Sequence, residues 1–195
     1  MSTRLPATAR REQLLEVAVG VFARQGYHGT SMNHVAEAAG VTKPVLYQHF
    51  DSKHDLYLAL LEDVGNRLLD RIAKATSEAT DGRSQTEQGF RSYFRWVAED
   101  HEAFMLLFGS GSRRDEEFAA AVRKVTDEVA NAIAPLIAAD IEPEHRRTLA
   151  HAIVGMAEGA SRRLVDAGTG FDPDELADEV AALAWAGLRG VRRVQ

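Results

Sequence analysis

Apolar residues recur at helical spacing along most of this chain, and no stretch alternates with the period of two that is typical of a β-strand. The pattern therefore predicts an all-α protein of about nine helices. The predicted helices cover approximately residues 8–25, 30–39, 42–50, 53–80, 86–99, 101–108, 114–138, 141–167 and 172–192.

Residues at the ends of these stretches support the predicted boundaries. Gly26 and Gly40 are placed to end the first two helices, because glycine accepts the backbone conformation that closes a helix. Ser52 with Asp55 has the spacing of a capping box, and Asp172-Pro173 is a strong start signal for the last helix. Pro135 is expected to bend or fray the seventh helix. Loops are predicted at residues 81–84 and 109–112.

Residues 40–50 have an unusual composition for a segment that only fills a core. Thr42 can cap a helix, Pro44 fits the first turn, and Leu46 and Phe50 lie one turn apart as a buried stripe. The other positions bring together a cation, a phenol, an amide and an imidazole. Two interpretations fit: an amphipathic surface helix, or the second helix of a helix-turn-helix that enters the DNA major groove.

The charge distribution indicates where a DNA-facing surface would lie. The net charge is −6, yet residues 1–50 hold five Lys/Arg against three acids, while the rest of the chain holds 18 against 26. Such a surface is therefore expected in the N-terminal part. The chain has no cysteine and no recognisable metal-ligand spacing, so neither a metal nor a cofactor is expected. It also has no long apolar run, so we expect a soluble cytoplasmic protein that does not enter a membrane.

The first 60 residues resemble the DNA-binding domain of the TetR family of transcriptional regulators. The segments that carry the resemblance are FARQGY at 22–27, TSM at 30–32, VAEAAGV at 35–41, TKPVLYQHF at 42–50 and SK at 52–53. The resemblance implies a helix-turn-helix domain over residues 1–52, or about 8–68 with the start of the fourth helix included. It also implies a helical effector-binding and dimerisation domain over residues 53–195, and a homodimer on a palindromic operator.

The resemblance and the residue types together suggest which side chains contact DNA. Lys43 suits a guanine edge or a phosphate, Gln48 suits an adenine, and Tyr47 and His49 resemble the phosphate-binding pair of the family. Capping or packing is the alternative role at each position. The full candidate set is Thr30, Ser31, Thr42, Lys43, Pro44, Val45, Tyr47, Gln48, His49 and Lys53. Leu46, Phe50, Phe22, Ala36 and Val35 are assigned to the core alone.

Aromatic residues downstream exceed what one helix contact needs, and they predict an apolar effector pocket. Ordinary core packing is the alternative for each of them. The candidate lining consists of Phe90, Tyr93, Phe94, Trp96, Phe104, Met105, Phe108 and Met156, with Phe118, Val122 and Leu164 closing it. Polar groups that could orient an effector are His101, His151, Glu158 and Arg162.

The eighth and ninth helices carry many small residues, which allow close helix approach. Pairing both helices with their symmetry mates would give a four-helix dimer interface. Trp185 and Leu188 are its predicted larger anchors, and packing within the chain is the alternative.

These observations predict a ligand-responsive, dimeric DNA-binding regulator. Repression of transcription by occupancy of the operator is the commoner mode in the family, and activation of transcription is the alternative. Residues 26–28 and 43–50 also resemble acyl-CoA-responsive regulators of fatty-acid synthesis of the FasR type. An all-α enzyme that uses the pocket and a helical interaction module without DNA are the alternative classes. The fourth helix is the expected lever between effector and DNA.

Overall fold

The computed structural model describes residues 6–109, 115–166 and 172–191. Nine α-helices and one 3₁₀ turn make up the regular structure of these residues, which confirms the all-α prediction. The helices are α1 (Ala7–Gly29), α2 (Met32–Ala38), α3 (Lys43–Tyr47), α4 (Lys53–Ser77), α5 (Gly82–Glu99), α6 (His101–Phe108), α7 (Glu116–Ile133), α8 (Pro143–Asp166) and α9 (Pro173–Leu188). The 3₁₀ turn is Ala134–Leu136.

Two helix ends show how local residues set the boundaries. The predicted loop at residues 81–84 is wrong from Gly82 onward, because the Asp81 carboxylate accepts the Ser84 N–H at 2.9 Å and starts α5 at Gly82. The seventh helix is predicted to reach about residue 138 with a bend or fray at Pro135, but α7 ends at Ile133 and the chain continues as the 3₁₀ turn that contains Pro135.

The described chain divides into two compact units. The N-terminal unit consists of residues 6–65 together with 102–109 and 115–122, and the C-terminal unit consists of 66–101, 123–166 and 172–191. The N-terminal unit is thus discontinuous in sequence, since it includes α6 and the first part of α7. The predicted domain boundary after residue 52 stays a prediction.

The core of the N-terminal unit forms from the predicted apolar stripes of its short helices. The five residues assigned to core from the sequence are all at most 3% exposed, which confirms that assignment. They are Phe22, Val35, Ala36, Leu46 and Phe50. Gly26 has a φ of 68° inside α1, so the helical backbone is interrupted where the sequence predicted its end.

The C-terminal unit is built on the packing of α5 against α9. Ala177, Ala181 and Ala184 face inward from α9 and are at most 4% exposed, and their small side chains let the two helices approach closely. Ion pairs fasten the same two helices at the surface. Arg95 binds both carboxylate oxygens of Asp174 at 2.7 and 2.8 Å, and Arg91 binds Asp178 at 2.5 Å.

Candidate functional site

A tight turn joins α2 to α3 and sets the direction of α3. Gly40 has a φ of 64°, and an added Cβ would meet nothing within 4 Å, so glycine is needed here for conformation and not for space. The Gly40 N–H donates to the Glu37 carbonyl at 3.1 Å, and the Val41 N–H donates to the Ala36 carbonyl at 3.0 Å. The end of α2 and the turn that follows it are therefore held by backbone hydrogen bonds.

Helix α3 buries one face and presents the other to solvent. Leu46 is fully buried and Phe50, just beyond the helix, is 1% exposed. The exposed side chains at α3 are those of Thr42, Lys43, Pro44, Tyr47 and Gln48, whereas Val45 and His49 are half-buried. The structure thus places five of the ten predicted DNA-binding residues on the exposed side of α3.

Lys43 and Tyr47 lie side by side on that face. The Lys43 Nζ is 5.8 Å from the centre of the Tyr47 ring, a cation–π distance, and Tyr47 is 43% exposed. An ammonium and a phenol hydroxyl one helical turn apart can both reach the phosphate backbone of a duplex.

Thr42 occupies the N-cap position of α3, but the prediction that its hydroxyl caps the helix is wrong. The backbone at Thr42 is extended, as a cap requires, while its hydroxyl accepts no backbone N–H of α3. Because the side chain is exposed, the hydroxyl remains accessible to a phosphate oxygen.

Thr30 and Ser31 are both predicted to contact DNA at the start of α2, but their side chains have different environments in the structure. The Ser31 hydroxyl caps α2 by accepting the His34 N–H at 3.2 Å. Thr30 is only 3% exposed, and its hydroxyl donates to the Gly26 carbonyl at 2.8 Å. The structure therefore places the Thr30 side chain inside the unit, where it supports the connector between α1 and α2 and is shielded from a DNA phosphate.

Lys53 is also engaged within the protein. Its Nζ donates to the carbonyls of Tyr27 and Thr30 at 2.8 and 2.9 Å and lies 4.3 Å from the centre of the Tyr27 ring. These contacts make Lys53 a clamp that ties the connector between α1 and α2 to the start of α4, and its predicted contact with phosphate stays a prediction.

An aromatic cluster in the N-terminal unit was missed in the sequence. Phe118 of α7 packs on Tyr57 at 4.5 Å, on Tyr27 at 4.8 Å and on His54 at 4.8 Å between ring centres. Burial and the neighbouring Tyr27 raise the pKa of Tyr57 to about 12. Phe118 was expected to close the effector pocket, but it packs against residues of α1 and α4 because α7 begins in that unit. No spacing rule in the sequence links residue 118 to residues 27 and 57.

The predicted effector residues fall into two groups, one in each unit. In the C-terminal unit the four aromatic residues of α5 are at most 7% exposed, and the Phe90 and Phe94 rings stack at 6.0 Å. In the N-terminal unit Phe104 and Phe108 pack at 5.4 Å. Met105 and Met156 are half-buried, and the side chain of Leu164 lies outside the described residues.

Of the polar residues proposed to orient an effector, three have intramolecular partners. His151 binds Asp127 of α7 at 3.0 Å, and this hydrogen bond, with a second to the Arg147 carbonyl, raises the pKa of His151 above its usual value. Glu158 and Arg162 form an ion pair along α8 with both side chains about one quarter exposed (27% and 26%). His101 is exposed.

Small residues form an exposed face on α8 and on α9. An added Cβ at Gly155, Gly159 or Gly187 would meet nothing within 4 Å, and Leu183 is 66% exposed. The other exposed residues on these faces are Ala152, Ala182 and Ala186.

The two predicted anchors of a dimer interface pack within their own unit. A Cβ at Gly82 would lie 3.5 Å from the Trp185 ring, and Leu188 packs against a cluster that contains Ala130 and Ala150. Trp185 and Leu188 therefore hold α9 to its own unit. Leu183, which the sequence analysis did not single out, is the large apolar residue on the exposed face of α9.

Two other kinds of site have no candidate among the described residues. No helix in the described ranges is long and apolar enough to cross a membrane. Within the same ranges, no three His, Cys, Asp or Glu side chains are grouped so as to hold a metal ion.

Comparison with known protein families gives two matches that together span most of the chain. Residues 14–60 match the model of bacterial regulatory proteins of the tetR family, and residues 83–187 match the model of the tetracyclin repressor-like C-terminal domain.

Individual relatives match along nearly the whole length. The HTH-type transcriptional activator FasR of Mycolicibacterium smegmatis is 33% identical over 190 residues, which are 96% of this chain and 87% of that protein. The crystal structure of a TetR-like regulator from Rhodococcus sp. RHA1 superposes with a TM-score of 0.77 at 30% identity, covering 96% of this chain and all of the other. The regulator FadR from Bacillus subtilis in complex with stearoyl-CoA has a TM-score of 0.80 over 90% of this chain and 98% of the other, and at 19% identity it shows the fold alone.

Proposed function

This chain belongs to the TetR family of bacterial transcriptional regulators, and from that premise we propose that it binds a palindromic DNA operator as a homodimer and responds to a small apolar effector. The relatives are named as regulators and not as enzymes, so the all-α enzyme is set aside. The observation that carries the proposal is the exposed face of α3, on which Lys43 and Tyr47 lie together above a buried Leu46.

We assign DNA contact to the accessible residues at α3. Lys43 and the Thr42 hydroxyl bind phosphate oxygens or a guanine edge, Tyr47 binds phosphate, and Gln48 reads an adenine. Ser31 presents the capped N-terminus of α2 to the backbone of the duplex. In a dimer the two copies of α3 occupy successive major grooves, about 34–36 Å apart.

The homodimer forms through α8 and α9. Gly155 and Gly159 of α8 and Gly187 of α9 leave open space in the single chain, which suits close approach by a second copy. Leu183 lies on the same exposed face of α9 and supplies the apolar anchor.

The effector is a long-chain acyl-CoA or a related apolar acyl compound. This class follows from the FasR-type resemblance and from the buried aromatic side chains of α5. The stearoyl-CoA in the Bacillus subtilis FadR structure supplies a probe of this class.

Repression by occupancy of the operator is the leading mode, since a dimer bound across a promoter excludes polymerase. Activation is the second candidate, because the relative from Mycolicibacterium smegmatis that matches 96% of this chain is named an activator. Transcription in vitro from a promoter carrying the operator, with and without the protein, separates the two. The protein is proposed to act in the cytoplasm, where the chromosome is accessible to it.

The effector acts by shifting the population between two separations of the paired α3 helices. A coupling of about 1–3 kcal/mol between effector and operator is typical of such regulators. Helix α4 is the proposed lever, because it starts at the Lys53 clamp and continues into the C-terminal unit. Structures with and without effector that share one α3 separation would contradict this mechanism.

Selection of genomic DNA fragments by the purified protein at moderate salt tests the DNA-binding function. We expect an enriched palindrome, and the neighbouring genes then indicate the regulated pathway. Repeating the selection with stearoyl-CoA should change the enrichment. If no palindrome is enriched in either condition, the operator-binding proposal is wrong.

Substitutions in α3 test which residues read the DNA. Lys43→Ala should lower operator affinity, and Tyr47→Phe should weaken binding to all sites alike, because a phosphate contact carries no sequence information. Normal operator binding by both variants would exclude α3 as the reading helix.

A further inference from the structure

Two buried hydroxyls in the C-terminal unit have no hydrogen-bond partner among the described residues. They belong to Tyr93 of α5, which is 7% exposed, and to Ser161 of α8, which is fully buried. A buried polar group without a partner loses its hydration and gains nothing in return, so native proteins rarely leave such groups unbonded. Two such hydroxyls in the same unit raise the question of whether one ligand atom bonds to both.

The two hydroxyls are neighbours. Burial is the main cause that raises the pKa of Tyr93, the Ser161 hydroxyl partly opposes this effect, and the nearby Glu158 carboxylate adds to it. The Tyr93 phenol is therefore a neutral donor at physiological pH. Although Ser161 is close enough to act on the phenol, the two oxygens form no hydrogen bond of normal geometry with each other.

The surroundings of this hydroxyl pair combine an apolar wall with a charged edge. On α5 the Tyr93 ring contacts Phe94 at 5.4 Å and Trp96 at 5.8 Å between ring centres. On α8 the half-buried Glu158–Arg162 ion pair lies within one turn of Ser161. A ligand bound here would meet aromatic side chains along its apolar part and two hydroxyl donors at one polar atom.

We propose that the Tyr93 and Ser161 hydroxyls together bind the acyl oxygen of the effector, that is, the carbonyl oxygen of a thioester or a carboxylate oxygen. One acyl oxygen has two lone pairs and accepts a hydrogen bond from each hydroxyl, so it satisfies both groups at once. This inference rests on the proposed function, because it takes the effector to be an acyl compound. It adds the atom that the protein recognises and the residues that recognise it.

The competing explanation is purely structural. The Tyr93 hydroxyl can donate directly to the neighbouring Ser161 oxygen, the Ser161 hydroxyl can rotate to donate to a carbonyl one turn back in α8, and a buried water can bridge the pair. In that case the hydroxyls contribute to the stability of the ligand-free protein and are indifferent to the acyl oxygen. The two explanations therefore predict opposite results for the same substitution.

The test uses the full-length protein and two matched ligands. Stearoyl-CoA carries the thioester carbonyl, and S-octadecyl-CoA has the same chain and nucleotide with a methylene in its place. Binding is measured by isothermal titration calorimetry for the wild type, Tyr93→Phe and Ser161→Ala. Each variant should bind stearoyl-CoA about three- to tenfold more weakly, as expected for the removal of one hydrogen bond, and should bind S-octadecyl-CoA as the wild type does.

Thermal unfolding without ligand is the second measurement, and Thr76→Val is its control. The Thr76 hydroxyl is buried and donates to the Ile72 carbonyl at 3.0 Å, so removing it should lower the melting temperature. Tyr93→Phe removes a hydroxyl without a partner and should leave the melting temperature equal to that of the wild type or raise it.

Three results would overturn the proposal. The first is equal weakening for both ligands, and the second is a loss of ligand-free stability in Tyr93→Phe as large as that in Thr76→Val. The third is that the wild-type protein binds neither ligand, because the acyl oxygen then cannot be the atom that the protein recognises. An enriched palindrome in the DNA selection would still support the operator-binding function in that case. Failure of the acyl-oxygen proposal can therefore be distinguished from failure of the proposed function.

Discussion

Replacing Lys53 by methionine separates a structural clamp from a phosphate anchor. The side chain keeps most of its length and apolar stem, but it loses the ammonium that donates to the Tyr27 and Thr30 carbonyls at 2.8 and 2.9 Å. It also loses the cation–π interaction with the Tyr27 ring at 4.3 Å. If Lys53 is a clamp, the variant is less stable and its salt response toward DNA is unchanged.

The magnitude follows from these interactions. A hydrogen bond to a charged group contributes about 1.5–3 kcal/mol, and an exposed cation–π interaction about 0.5–1 kcal/mol. Lys53 is half-buried, so water partly replaces the protein partners of the ammonium. We expect Lys53→Met to lower the free energy of unfolding by about 2–3 kcal/mol, measured by urea denaturation with an unchanged m-value.

Lys43→Met is the matched control, because Lys43 is exposed and has the same side chain. Its free energy of unfolding should stay within about 0.5 kcal/mol of the wild type. Its operator affinity should depend less on salt: the slope of log K against log[salt] should shrink by about 0.9 for each phosphate that the protein no longer neutralises, or about 1.8 for the dimer. Lys53→Met should keep the wild-type slope. The reasoning is refuted if Lys53→Met keeps full stability and reduces the slope as Lys43→Met does.

Two further predictions concern the C-terminal unit. Leu183→Glu should convert the proposed dimer to a monomer in analytical ultracentrifugation and abolish cooperative operator binding, because a charge would be buried at the proposed interface. Glu179→Gln, a change at an exposed polar position on the same helix, is the comparison variant. A dimeric Leu183→Glu protein would argue against this interface. His151 should titrate above its usual value of 6.5 by NMR, and Asp127→Asn should bring its pKa back down. Since the folded-state pKa is raised, the stabilisation from this pair is fully present below about pH 6.5 and is lost as the pH rises through the folded-state pKa; an identical pKa in both proteins would contradict the assignment.

Sequence reasoning was most successful where local pattern determines structure. The spacing of Leu46 and Phe50 correctly predicted that both side chains are buried, although α3 ends at Tyr47 and Phe50 lies just beyond it. The end of the regular α-helix near Pro135 follows from the missing N–H of proline, which is also a local property.

The errors arose where a side chain has several partners to choose from. The clamp contacts of Lys53 were not predicted, because its carbonyl partners lie more than twenty residues away in sequence and cannot be inferred from spacing. Thr30 and Ser31 are chemically alike, and only packing decides which hydroxyl is buried. Helix α9 has small residues on two faces. The sequence pattern alone therefore does not distinguish the buried face, which packs against α5, from the exposed face that carries Leu183.

The discontinuous N-terminal unit has a consequence for how the protein is made. Phe118 is 1% exposed and packs on Tyr57 at 4.5 Å, so the aromatic cluster of the N-terminal unit is complete only after residue 118 has been synthesised. About 60 residues separate Tyr57 from that point, which a ribosome needs roughly 3–12 s to add. During that interval the nascent helix-turn-helix exposes two tyrosine rings that are later covered. A fragment cut after residue 65 would keep this surface permanently and should be prone to aggregation, so an isolated DNA-binding module of this protein has to carry residues 102–122 as well.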